Sequence, residues 1–318
     1  MPLIQITNTY KNSVLELVEK CVPNGFVIRT LPENSPAALL EMISDADYLL
    51  ASGRIRIDRE MLEHAKKLKM IQRTGVGLDT LDIEGIKESN IPLYVNPGIN
   101  SQSVAEHTML LILACLRRLT MLDKNCKKGV WKKQEQGIET FELRGKTVGI
   151  IGMGSVGKTV ARMLQPFDAK VVYYDLFHEN EIADAKYVEL ENLLAQADVI
   201  SLHCPLTNET RSVICRDSLA KMREGVILIN TARGELVNEE DLLEAIESGK
   251  VAFAGLDVFV QEPFAENNIL VSNEHVIATP HIGGVTYDSF CSMMFEAMHN
   301  IALFEKGRLE EIKGKRIV

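Results

Sequence analysis

Arg233, Glu262 and His281 stand in short, distinctive settings, NTARG, QEP and TPHIGG, all downstream of a glycine turn that runs from Gly152 to Gly157. An arginine grips a carboxylate with two parallel hydrogen bonds. A histidine exchanges protons near neutral pH, and a carboxylate beside it favours the protonated ring. Next to a dinucleotide, such a set supports hydride exchange at the carbonyl of a 2-oxo acid.

The elements that position these groups are readable around them. The run TVGII at 147–151 predicts a strand, GMGSVG a tight turn, KTVARMLQPF a helix and VVYYD the next strand. In this order Gly152, Gly154 and Gly157 let the backbone turn, approach a pyrophosphate and pack helix on strand, while the helix start offers amides to phosphates. Asp175 closes the following strand near the ~20-residue spacing expected of the carboxylate that binds adenosine ribose hydroxyls. A carboxylate there repels a 2′-phosphate, and Leu176, Phe177 and His178 supply no cation for one, so NAD is favoured over NADP. Arg233 follows GVILIN and His281 follows HVIATP. Both therefore fall at the carboxyl ends of strands, where open α/β sheets bind ligands.

The rest of the chain repeats the same alternation. Up to about residue 96 the runs LIQI, FVIRT, YLLA, KMIQR and PLYV are separated by helical stretches such as SPAALLEMI and DREMLEHAKKL, which predicts βα units on a parallel sheet. After Pro97-Gly98, residues 101–122 read as one long helix connecting two domains, with Ser101 or Ser103 as N-cap. A second series runs from TVGII to HVIATP. A final helix over 287–304 carries an apolar face that suits packing on the first domain, which would then be built from both chain ends.

Length and composition bound the function. A chain of 318 residues fits roughly two domains of about 150 residues. A net charge of −9 offers no basic surface for nucleic acid or anionic membrane. The start, MPLIQITNTYKNS, lacks a secretory pattern, and the apolar run 109–116 is too short to span a bilayer as a helix. The six cysteines, at 21, 115, 126, 204, 215 and 291, form no CxxC pair, so reduced thiols in a cytoplasm and no metal site are expected.

Taken together, GMGSVG, HCPLT (203–207), NTARGELVNEEDL (230–242), GLDVFVQEP (255–263), TPHIGG (279–284), RTGVGLDTLD (73–82) and NPGINSQSVAEHTMLLIL (96–113) closely resemble the D-isomer-specific 2-hydroxyacid dehydrogenases, nearest the phosphoglycerate, hydroxypyruvate and glyoxylate reductase branches. The resemblance implies an α/β protein of two Rossmann-like or flavodoxin-like parallel-sheet domains. These are a substrate domain of residues 1–99 with 285–318 and an NAD-binding Rossmann domain of residues 100–284. It implies that Arg233 binds the substrate carboxylate and carbonyl oxygen, that His281 is the acid of reduction, and that Glu262 hydrogen-bonds His281. Amides at Val76 and Gly77 help hold the carboxylate. Ser155 and Val156 face the pyrophosphate, Asp175 the ribose, His203, Cys204 and Pro205 the adenine, and Val104, Thr231, Ala232, Asp257 and Gly284 the nicotinamide half. A homodimer through the cofactor domain is implied as well. A carboxylate at 262, where the formate dehydrogenase branch typically has an amide, disfavours formate.

The sequence also departs from the family. Where many phosphoglycerate-type members carry Arg-Ser-x-Thr, residues 51–56 read ASGRIR, leaving Arg54 and Arg56 either to meet a distal phosphate or to be solvated. With the sequence ending at Val318, the C-terminal regulatory domain of some phosphoglycerate dehydrogenases, and serine feedback through it, is not expected. Trp131, the single tryptophan, reads as interdomain or subunit packing. The rival class is an NAD(H)-responsive binding protein, since the related transcriptional corepressors keep similar Arg, Glu and His residues.

Overall fold

The computed structural model describes residues 1–177 and 185–318. The chain divides into two compact units, residues 1–100 with 285–318, and residues 101–284.

In the first unit five strands, β1 (Leu3–Ile6), β2 (Val27–Arg29), β3 (Tyr48–Ala51), β4 (Met70–Arg73) and β5 (Leu93–Val95), pair in parallel in the order β5-β4-β3-β1-β2. The central ones are buried along their whole length, as expected of parallel strands covered on both faces. Polar caps start the covering helices: Ser35, Asp58 and Asp82 accept from the amides of Ala38, Met61 and Gly85. The helix Tyr287–Glu305 lays Met294, Ala297, Met298 and Ile301 on one face of the sheet against Ile4, Ile6, Tyr48 and Tyr94. A two-residue strand, Lys315–Arg316, joins β5 antiparallel. It corrects the all-parallel expectation, because a strand that short and exposed carries no pattern of its own.

The second unit holds seven parallel strands: β6 (Thr147–Ile151), β7 (Lys170–Tyr174), β8 (Ala185–Tyr187), β9 (Val199–Leu202), β10 (Val226–Asn230), β11 (Val251–Leu256) and β12 (Val276–Ala278). Their order is β12-β11-β10-β9-β6-β7-β8. The chain runs outward one way from β6 and the other way from β9, so the switch point lies between those two strands.

The long helix expected over 101–122 is two. It runs from Ser101, placing Ser103 inside it, to Leu116, and a new helix spans Leu119–Lys127. The break is Arg118, left-handed at φ 49°, whose guanidinium lies 5.5 Å over the Phe253 ring and pairs with Glu139. Those tertiary contacts override a sequence with no glycine or proline at the break. The first helix buries Ala105, Leu111, Ile112 and Cys115 in the core, and the second buries nothing. Trp131 is 84% exposed within the chain, and Leu110, Leu119, Ile138 and Phe141 are exposed with it.

Among the described residues no helix is long and apolar enough to cross a membrane. No group of histidine, cysteine and carboxylate side chains there is set to hold a metal ion.

Candidate active site

The glycine turn follows β6 at the switch point. A Cβ on Gly152 would lie 2.4 Å from the Cys204 nitrogen, and one on Gly157 would lie 2.2 Å from the Gly152 oxygen, so packing requires both glycines. At Gly154, which caps the helix Ser155–Leu164, a Cβ would meet nothing within 4 Å. Packing does not demand that glycine, and the open space lies where helix amides point outward, as a bound pyrophosphate needs.

Asp175, just past β7, accepts from the Met153 amide at 2.6 Å and from the Phe177 amide at 3.0 Å. The carboxylate is thus fixed against the glycine turn with lone pairs to spare for hydroxyls. Leu176 and Phe177 are exposed, and His178 lies outside the described residues. The segment after β9 meets the turn from the other side. His203 bonds the Ser201 hydroxyl at 2.9 Å, and burial holds its ring down at about 3, leaving it neutral. Cys204 is buried, which pushes its thiol up to about 11, and Pro205 is exposed. Glycine turn, Asp175 and residues 203–205 are therefore brought together around one switch point.

Arg233, Glu262 and His281 follow β10, β11 and β12, three neighbours in the sheet. Gly234 makes their approach possible: a Cβ there would sit 2.0 Å from the Phe259 carbonyl carbon, so only glycine lets the two loops abut. The Arg233 carbonyl accepts from the Asn230 side chain at 2.8 Å, and its guanidinium donates to the Ala232 carbonyl at 2.6 Å. Glu262 accepts from the Phe259 amide at 3.0 Å and from His281 Nδ1 at 2.6 Å, leaving Nε2 on a half-exposed ring. Burial raises the Glu262 carboxyl, but the bonds from His281 and Phe259 and the charges of His281 and Arg233 outweigh it and hold it below the ordinary carboxylate value. Acidification through that lowered value protonates Glu262 and removes its charge from the pair.

The other residues expected beside these groups differ in burial. Val104 and Ala232 are half-buried, as is Gly284. Thr231 is 8% exposed, its hydroxyl paired at 2.9 Å with that of Thr108. Asp257 turns inward at 2% exposure: its carboxylate accepts from the Thr279 hydroxyl at 2.5 Å and from the amides of Ile282 and Gly283 at 3.0 and 2.8 Å. Burial raises this carboxyl, yet the adjacent His107 and the bonds from Thr279 and the two amides keep it below the ordinary value. Sequence reading missed this anchoring task, along with Thr279, His107 and Gly234. Only Gly234, a glycine directly after the arginine, left a trace.

In the first unit Val76 and Gly77 lie on the loop after β4. Arg73, 4% exposed, donates from Nε to the Gly77 oxygen at 2.8 Å and also pairs with the Ser52 oxygen. Ser52 occupies that unit's switch point, between β1 and β3, bonding Asn8 at 2.5 Å and Thr7 at 2.8 Å. Ile55 and Ile57 are buried, so Arg54 and Arg56 alternate outward and are exposed.

Residues 109–283 match the family described as D-isomer specific 2-hydroxyacid dehydrogenase, NAD binding domain. A hydroxypyruvate reductase of Thermotoga maritima is 41% identical over 253 residues, 79% of this chain and 82% of that protein. A glyoxylate reductase of Thermococcus litoralis is 35% identical over 315 residues, covering 90% and 95%. The crystal structure of D-lactate dehydrogenase from Aquifex aeolicus, complexed with NAD and lactic acid, superposes with a TM-score of 0.90 at 29% identity over 99% of both chains.

Proposed function

The chain belongs to the D-isomer-specific 2-hydroxyacid dehydrogenases, NAD-dependent oxidoreductases, and from that premise we propose that Arg233, Glu262 and His281 interconvert a small 2-oxo acid and its D-2-hydroxy acid. The observation that carries this reading is the 2.6 Å bond from His281 Nδ1 to Glu262, which orients the ring and leaves Nε2 to give or take the substrate proton.

When bound, the nicotinamide supplies the hydride to the carbonyl carbon, and negative charge grows on the carbonyl oxygen. Arg233 holds the carboxylate and stabilises that charge. His281, protonated, donates its Nε2 proton to the oxygen. The positive charge left on the protonated ring before transfer is balanced by ionised Glu262. In the oxidative direction the neutral ring takes the proton back. Gly154 leaves room for the pyrophosphate, and Asp175 meets the adenosine ribose. Its charge, with no cation at Leu176 or Phe177, supports NAD over NADP. The small polar switch point of Thr7, Asn8 and Ser52 in the first unit supports short hydroxylated or aldehydic acids, hydroxypyruvate and glyoxylate foremost.

The test is a panel of glyoxylate, hydroxypyruvate, phosphohydroxypyruvate, pyruvate and branched 2-oxo acids with NADH and NADPH. Turnover of one of the first two with NADH, at least about tenfold above NADPH, is the expected result. Tight NADH binding with no turnover of any acid would instead support a cofactor-responsive binding protein. The exposed face of Leu110, Leu119, Trp131 and Phe141 is proposed to meet a second copy of the chain, which a doubled mass in solution checks.

Glu262→Gln keeps an acceptor for Nδ1 but removes the charge. Ionised Glu262 balances the charge of the protonated ring, so kcat for reduction should fall roughly tenfold or more while KM for the oxo acid holds. An unchanged kcat means that the Glu262 charge does not support the acid.

A further inference from the structure

His281 has an unusual backbone. At φ 53° it lies in the left-handed region, which a non-glycine residue keeps only where its surroundings impose it. Glu262 fixes one ring nitrogen but not this backbone. The segment 279–283 is instead wound around Asp257. The His281 amide donates to the Asp257 carbonyl at 2.8 Å, and the Thr279 hydroxyl and the amides of Ile282 and Gly283 converge on its carboxylate.

A further contact comes from a distant element, the helix Ser101–Leu116. His107, its side chain 12% exposed, places Nε2 2.9 Å from the Thr279 hydroxyl and 3.5 Å from the Asp257 carboxylate. Its ring also closes over Gly283, where a Cβ would meet Cδ2 at 3.3 Å and Cγ at 3.5 Å. The Thr279 hydroxyl has one proton, and at 2.5 Å from a carboxylate that proton goes to Asp257. The hydroxyl oxygen therefore accepts from His107, which assigns a proton to Nε2. The relay reads His107 to Thr279 to Asp257, and Asp257 holds the segment that bears His281.

We propose that His107 is a positioning residue: acting through Thr279 and Asp257, it fixes the left-handed segment that presents His281. The proposal rests on His281 being the acid of the proposed reaction.

The test uses the full chain with His107→Leu, which removes the donor and keeps apolar bulk, and His107→Gln, which returns an N–H. His107→Leu should lower kcat for reduction roughly 10–100-fold, with KM for the oxo acid and Kd for NADH within about threefold. His107→Gln should recover most of the loss. Thr279→Val breaks the same relay from its other end and should reproduce it, which decides the matter if the leucine variant does not fold. A readout independent of turnover is the ¹³C signal of the His281 ring in histidine-labelled protein, identified by its disappearance in His281→Asn. It should move in His107→Leu and return in His107→Gln. Unchanged kcat with an unmoved His281 signal overturns the proposal, as does an equal loss in the leucine and glutamine variants with a shared fall in Tm. If the wild-type chain turns over no acid, the acid assignment fails, and the His281 signal still decides whether His107 positions that ring.

Discussion

Replacing His281 by alanine is expected to lower kcat for reduction by roughly 10²–10⁴-fold, the range for loss of a positioned general acid. The loss should fall on kcat and leave KM nearly unchanged, because the ring meets the developing oxyanion and not the carboxylate. The side chain is 47% exposed, so its removal empties no core, and Tm should hold. Alanine does, however, sit poorly at φ 53°, whereas asparagine is among the residues that tolerate the left-handed region. His281→Asn therefore keeps the backbone and removes the acid. Both variants should lose activity alike. A variant that retains kcat within a few-fold ends the assignment, and loss in alanine alone would make the backbone, not the proton, the essential feature.

Arg233→Ala should cost kcat/KM roughly 10³-fold or more, about 4 kcal/mol, divided between KM and kcat. The division follows from two tasks: gripping the carboxylate, which is present before and during reaction, and stabilising the oxyanion, which exists only in the transition state. Arg233→Lys should recover a small part, since an ammonium supplies charge without the planar fork. The neighbouring Gly234 is needed to bring this loop against Phe259, so the arginine's position is set by backbone contact before its side chain finds a ligand. An unchanged kcat/KM in Arg233→Ala would remove its role.

What the sequence revealed was local. The strands β3, β9 and β10 are buried from end to end, and burial on both faces makes a parallel strand a mostly apolar run that stands out between polar stretches. The glycine turn and Asp175 were legible because their spacing is set by one strand, one turn and one helix. The break at Arg118 was not, since it depends on Phe253 and Glu139, far along the chain. The anchoring task of Asp257 was hidden for the same kind of reason: its partners include Thr279, Ile282 and Gly283, and only the folded loops bring them to its carboxylate. His107 had no signal at all, as its meaning depends on a residue 172 positions away. The short strands β8 and Lys315–Arg316 lie at sheet edges and are too brief to carry a period.

The discontinuous first unit has a consequence for the order in which the protein is made. Its five parallel strands lie within residues 1–100, yet one face of them is covered by Met294, Ala297, Met298 and Ile301, which leave the ribosome only after the whole of residues 101–284. The second unit, encoded without interruption, has all its strands available first. Ile4, Ile6, Tyr48 and Tyr94 must then wait uncovered while a complete domain is synthesised, so nascent chains stalled before residue 285 should expose that apolar face to chaperones.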